Sequence, residues 1–166
     1  MFTIHSLAEP GGTAIGRALG RVPSGLFVLA AGQKPDAKAM LVSWVQQVGF
    51  QPPAVCVALA KDRPMLTTVQ RVGGFALSVL GRSQSALFKR FARPTPGADP
   101  FEGIEIRSTP AGQTVLADAV AWLECRVLQV SDFSGDHDLV IARITAGEIG
   151  NEEPAFTHLR GNGLHY

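Results

Sequence analysis

Cysteine is scarce in these 166 residues, and Cys56 and Cys125 lie far apart with no CxxC pair, which removes a redox dithiol and a cysteine-based zinc site. They read as buried, reduced thiols. Charge of either sign is also in short supply. Charged residues make up 17%, and 15 Lys plus Arg against 14 Asp plus Glu leave a net charge of +1, so there is no electrostatic footprint for a nucleic-acid backbone. No window reaches the roughly 18 apolar residues of a membrane span. The first nine residues lack the basic and apolar regions of a secretion signal. The expectation is a cytoplasmic protein with neither a membrane nor a nucleic-acid partner. Motifs are equally thin. GxGxxG after a strand, GxxxxGK[ST], GxSxG and HExxH are all missing, and His5, His137, His158 and His165 show no metal-ligand spacing. Dinucleotide-fold, P-loop, hydrolase and metal-site readings all lose support.

What is present is apolar surface. Hydrophobic residues reach 46%, and a chain of this length buries about 70% of its unfolded surface, so residues 1–166 are read as one domain. Residues 13–21 place Ala14, Ile15, Ala18 and Leu19 at helical spacing, which predicts a short opening helix. Residues 26–31, 39–50 and 54–59 read as strands, the last covered on both faces. Pro64 at a first turn and Gly73-Gly74 at the end predict a helix over 64–72, followed by a strand over 75–80. Ser83 or Ser85 can cap a helix carrying residues 86–91, and residues 93–103 are a loop. Two long strands, 121–130 and 139–149, and a short one at 155–159 complete six or seven strands with two or three short helices. Strands that rarely alternate with helices argue against a parallel doubly wound sheet and for a mostly antiparallel barrel.

Five places carry polar chemistry. Ser43, Trp44, Val45, Gln46 and Gln47 interrupt an apolar strand, and side chains on its two faces cannot all enter a hydrocarbon core. They meet a ligand, or they form an edge or dimer-interface strand with satisfied glutamines. Lys61, Asp62 and Arg63 after one strand, and Lys89 and Arg90 with Arg93 beyond, suit an anion such as a phosphate monoester, or are solvated faces. Gly135-Asp136-His137-Asp138 joins the two long strands, presenting His137 to a ligand or closing a plain hairpin. The C-terminal His158, Arg160, His165 and Tyr166 either close over a site or fray.

The residues in segments 17–28, 39–53, 57–64, 75–80, 121–127 and 135–137 line up in order with the flavin reductase-like FMN-binding split barrels. The most telling are Ser43-Trp44-Val45-Gln46-Gln47 with Pro52-Pro53, and Gly135-Asp136-His137. The chain resembles, in particular, the flavin reductase domain of cyanobacterial-type flavodiiron proteins, which also ends in His-Tyr. The resemblance implies a split β-barrel with short flanking helices and a homodimer. It implies FMN, with FAD as the larger alternative, along Ser43 to Gln47, Gly49, Phe50, Ala60, Lys61 and Asp62, and a second contact region at Lys89, Arg90 and Phe91. It implies hydride transfer from NADH or NADPH to flavin, with His137 beside the nicotinamide, and onward transfer to free flavin, a monooxygenase or another acceptor. Relatives carry small Ser or Thr where this chain has Trp44, Gln46 and Gln47, and often Asn where it has Ser78. The rival readings on the same fold are a non-enzymatic FMN-binding electron-transfer module, a haem or deazaflavin binder, and a purely structural dimerisation domain.

Overall fold

A computed structural model describes residues 14–160. The opening helix is α1 (Ala14–Leu19), followed by the two-residue β1 (Ser24–Gly25) and then β2 (Phe27–Ala31), β3 (Lys38–Val42), β4 (Val45–Phe50) and β5 (Pro53–Ala60). Helix α2 (Pro64–Val72) leads into β6 (Gly74–Val79), and a 3-10 turn (Arg82–Gln84) into α3 (Ser85–Ala92). The chain ends with the hairpin β7 (Ile106–Ser108) and β8 (Thr114–Leu116), the long pair β9 (Ala121–Asp132) and β10 (His137–Ile149), and the short β11 (Thr157–His158). Seven strands form one antiparallel sheet in the order β3-β2-β6-β9-β10-β5-β4.

The run 39–50, read above as a single strand, is two strands at opposite edges of that sheet. They are separated only by Ser43 and Trp44, so the sheet must curl until its edges approach. The curl is accommodated where ladders slip. Register shifts occur at Ile141/Ala142 and Ile144/Ala146 between β10 and β9, and at Gln47/Gly49 between β4 and β5, and such bulges bend a strand. The result is a barrel left open along the β3/β4 seam.

Two apolar clusters lie on the two faces of the sheet. Leu29, Val57, Leu59, Val69, Phe75, Leu77, Cys125 and Val140 pack together, and Val28, Ala30, Leu80, Phe91, Phe101 and Leu116 form the other. Strand β2 feeds alternate residues to both, which is why its sequence is unbroken apolar. Helix α2 forms as its sequence predicts. Pro64 opens it, Met65, Leu66 and Val69 are buried, and Gly73 ends it at φ 73°, its N–H donating to the Val69 carbonyl at 2.9 Å. Neither serine caps α3: the 3-10 turn precedes it, and Ser83 donates its N–H and hydroxyl to Glu153 at 2.6 and 2.7 Å. The β7–β8 hairpin, absent from the sequence reading, is held by the Leu116 N–H donating to the buried Ser78 hydroxyl at 3.0 Å.

One buried carboxylate inside the fold is matched by several donors. Glu124, 5% exposed, accepts from the Ala111 N–H at 2.8 Å and the Thr145 hydroxyl at 2.7 Å. Burial raises its pKa, but the hydrogen bonds from Thr109, Ala111 and Thr145 together outweigh this and hold it below the ordinary glutamate value. Burial and the neighbouring Glu124 push the Cys125 thiol up to about 12. Because the folded-state pKa of Glu124 is depressed, its contribution to stability is present above the unfolded value and lost as pH falls through the folded one. Charged hydrogen bonds of this kind contribute about 2 kcal/mol, so Glu124→Gln is expected to lower Tm by about 4–8 °C at pH 7. Thermal melts from pH 7 to 3 should show the deficit shrinking below about pH 4.5; an equal deficit at pH 3 would contradict the ionised role.

Candidate functional site

The seam where the sheet edges meet is also where polar side chains converge. Ser43 is buried and Trp44 is 43% exposed. The Trp44 carbonyl accepts from the Ala58 N–H at 3.1 Å, which pins the link to β5. Ala60, the last residue of β5, pairs with His137, the first of β10, so His137 stands at the same end of the sheet. Its ring is 4.8 Å from the Trp44 ring, tilted by 56°, and the residue is 6% exposed. The C-terminal segment returns to this place because β11 pairs with β1, with His158 opposite Ser24. Arg160 then lies with its guanidinium carbon 4.2 Å from the centre of the Trp44 ring and donates Nη2 to the Ser43 hydroxyl at 2.5 Å.

The β9–β10 turn is clamped to β5. The Lys61 N–H donates to the Asp136 carbonyl at 3.0 Å, while Lys61 Nζ lies 2.7 Å from Asp132 Oδ1 and 3.5 Å from Asp138 Oδ1. The hydrogen bond to Asp132 is the main cause of a raised Lys61 pKa, and the same bond lowers that of Asp132. Asp136 Oδ1 is 2.9 Å from His137 Nδ1, and this hydrogen bond holds the Asp136 carboxyl below its ordinary range. The left-handed residue of the turn is Ser134, at φ 63°, its N–H donating to Asp132 at 2.6 Å. A Cβ at Gly135 would come within 2.5 Å of the Phe133 ring, an exposed side chain that would have to swing aside.

Two cavities flank the link. A groove of about 1520 Å³ is bordered by Ser43, Trp44, Val45, Gln46, Ala60, Lys61, Asp62 and His137, together with Arg63 and Arg160. A smaller cavity of about 510 Å³ shares Ser43, Trp44, Ala60, Arg63 and Arg160 with it and continues over Met40, Phe88 and Arg93. Gln47, Gly49 and Phe50 border neither. Gln47 donates to the Gly49 carbonyl at 3.3 Å, and Phe50 is 89% exposed on the outer edge strand. In α3 the cavity meets Phe88 and Ala92, not Lys89, Arg90 or Phe91. Phe91 is fully buried 6.0 Å from Phe101, and Arg90 donates to the carbonyls of Pro100 and Glu102 at 3.0 and 2.5 Å. His165 and Tyr166 lie outside the described residues.

The groove fits a flavin. Its volume exceeds the roughly 300–1,000 Å³ that one small ligand needs. It combines apolar and aromatic wall, backbone edge at an open seam, a hydroxyl and basic side chains, which suit a planar polar ring carrying a phosphorylated tail. Among the described residues no helix is long and apolar enough to cross a membrane.

An antiparallel sheet curled around a core, with such a cleft at its open seam, is a split-barrel domain with a ligand-sized cleft. The chain belongs to the flavin reductase like domain family, whose match covers residues 19–163. It is 38% identical over 154 residues to diflavin flavoprotein A 1 of Synechocystis sp., and 37% identical over 158 residues to diflavin flavoprotein A 3 of Nostoc sp.. These matches take in 90% and 93% of the chain but 26% and 27% of the relatives, so the chain spans about a quarter of their length. Among solved structures it is similar to an NADH:FAD oxidoreductase of Streptomyces globisporus, with TM-score 0.81, 25% identity and 93% of each chain covered. The styrene monooxygenase flavin reductase of Pseudomonas putida gives TM-score 0.77 and 28% identity over 89% of this chain and 93% of that one.

The clamp at Lys61 yields a test. Lys61→Met should speed amide hydrogen exchange across residues 131–138 by roughly 2- to 5-fold while leaving the exchange of β2 and β6 unchanged, as expected for a largely exposed ion pair. Unchanged exchange in the turn would show that the backbone bond alone holds it.

Proposed function

We propose that this chain is an NAD(P)H-dependent flavin reductase that holds FMN along the Ser43–Trp44 link and passes electrons to free flavin, a monooxygenase or another acceptor. The observation that carries this reading is the convergence of Ser43, Trp44, His137 and Arg160 at the one open seam of the sheet. The names of similar proteins support it, since they include an NADH:FAD oxidoreductase, also in complex with NAD and FAD fragments, and a monooxygenase flavin reductase. FMN is the flavin that the family resemblance implies, with FAD as the larger alternative, the flavin in the name of the similar NADH:FAD oxidoreductase.

Bound flavin supplies the hydride acceptor, and the protein supplies orientation and electrostatics. Trp44 and His137 wall the groove in which the flavin would be held. Asp136 holds the His137 ring through Nδ1, and Lys61 holds the Asp136 backbone, so His137 can position a nicotinamide without exchanging a proton. Arg160 fixes the Ser43 hydroxyl and the Trp44 ring from the opposite end of the chain. A homodimer fits the outer face of β4, where Val48 is 52% and Phe50 89% exposed. Phe50→Asp should convert the dimer to a monomer in sedimentation analysis, and an unaltered mass would place the contact elsewhere.

The central test is the visible spectrum of the FMN-loaded protein under anaerobic conditions, before and after NADH and then NADPH. Rapid bleaching of the flavin band is expected and names the donor; an unchanged band with both nucleotides would leave a flavin carrier. His137→Ala should slow bleaching about 100-fold while changing flavin affinity by less than roughly threefold. Loss of flavin with normal reaction of the bound remainder would overturn the positioning role.

A further inference from the structure

Glu153 borders neither cavity, yet it joins two elements that wall the smaller one: α3, through Phe88 and Ala92, and the C-terminal segment, through His158 and Arg160. Its carboxylate accepts from the Ser83 N–H at 2.6 Å and the Ser83 hydroxyl at 2.7 Å, in the turn that leads into α3. The backbone and side-chain bonds from Ser83 hold its carboxyl below the ordinary glutamate value, and bonds to an ionised acceptor are the strong ones. The carboxylate lies over Gly81, where a Cβ would come within 2.4 Å of Glu153 Oε2. Any larger residue at 81 would push the carboxylate away from Ser83.

The segment around Glu153 is fastened unevenly. On its N-terminal side the Gly150 and Asn151 N–H groups donate to the Val120 carbonyl at 2.7 and 3.2 Å, and the Asn151 side-chain amide donates to the Asp118 carbonyl at 3.3 Å. Asn151 Oδ1 accepts from the Glu153 N–H at 2.9 Å, which shapes the turn that aims the carboxylate at Ser83. On its C-terminal side backbone pairing is sparse. The Phe156 N–H donates to the Leu80 carbonyl at 2.8 Å, Ala155 bridges to Gly81, and β11 pairs with β1 over two residues. Pairing this short is marginal by itself, and Phe156 is only partly buried against its apolar cluster. The Glu153 carboxylate adds a charged tie just before this sparse stretch carries Arg160 to the seam.

We propose that Glu153 is a positioning residue that acts on the site from outside it: by locking the C-terminal segment to the start of α3, it sets Arg160 against Ser43 and Trp44. The same tie fixes the spacing of Phe88 on α3 from His158 on β11, whose rings lie 6.0 Å apart. Its bearing on flavin rests on the reading of the groove as a flavin site, whereas its effect on Arg160 does not.

The test begins without ligand, in a Trp122→Phe background that leaves Trp44 as the single tryptophan. Amide hydrogen exchange and acrylamide quenching of Trp44 are compared for Glu153→Gln, Ser83→Ala, Arg160→Gln and the double variant Glu153→Gln/Arg160→Gln. Glu153→Gln is expected to speed exchange over residues 155–158 about 3- to 10-fold while leaving β2 and β6 unchanged. Quenching of Trp44 should move in the direction seen for Arg160→Gln. The double variant should match Arg160→Gln alone, the non-additivity of residues that act through one chain of contacts. Ser83→Ala, which keeps the N–H donor, should change both readouts less. A Trp44 signal unmoved by Glu153→Gln overturns the proposal, since Phe156 and the β1–β11 pair would then hold Arg160 without the carboxylate. Additive changes in the double variant, or faster exchange in β2 and β6, overturn it as general loosening. FMN affinity, measured by flavin fluorescence, is expected to fall about threefold in Glu153→Gln, and an affinity equal to that of the wild type also overturns the proposal. Absence of FMN binding in every variant, with the coupling to Trp44 intact, would overturn the flavin reading and leave the role of Glu153 standing.

Discussion

Two residues set the shape of this molecule. Ser43 and Trp44 are all that separates β3 from β4, and those strands lie at opposite edges of a seven-stranded sheet. A short covalent link between the two edges forbids a flat sheet and forces the curl that the bulges in β9, β10 and β4 accommodate. The same link cannot be covered by a ladder on both sides. Ser43 and Trp44 border the cleft, and the cleft is therefore a product of the topology. The site residues from β5, β10 and the C-terminal segment gather at this link because the strand order brings their ends there.

The clamp on His137 shows how local chemistry refines that placement. A buried imidazole on a mobile turn would sample several orientations, but Asp136 fixes one ring nitrogen and Lys61 ties the turn to β5 by both backbone and side chain. Trp44 supplies the facing wall and is itself held by Arg160. The four groups form one connected assembly, with the chain's described C-terminal end as its last member.

Much of this was legible in the sequence, for identifiable reasons. The α2 boundaries followed from Pro64 and Gly73, whose backbone preferences are local. The antiparallel, mostly β architecture followed from apolar runs punctuated by turn residues. The break at Ser43–Trp44 was visible only as a polar interruption, because the edges that make it a break come from long-range pairing. The β7–β8 hairpin was hidden by short strands and by an anchor, Ser78, that looks like an ordinary strand residue. In the site, Ser43, Trp44 and His137 were marked by their setting. Arg160 was named only among C-terminal residues that either close over a site or fray, since 117 residues separate it from Ser43 and only the two-residue β1–β11 pairing returns it. Helix α3 was found, but which of its residues meet the cavity depends on a rotation that composition does not specify: Phe91 is buried against Phe101 and Phe88 faces the site.

The two thiols bear on how such a domain survives its own chemistry. Reduced flavin meeting dioxygen generates hydrogen peroxide, which attacks thiolates and spares protonated thiols. Cys125, buried beside Glu124 with its pKa at about 12, stays protonated at any physiological pH, and burial raises Cys56 in the same direction although it borders the groove. Both thiols are thus held in their least oxidisable form, a chemical durability that comes from burial at Cys56 and from burial and the Glu124 charge at Cys125.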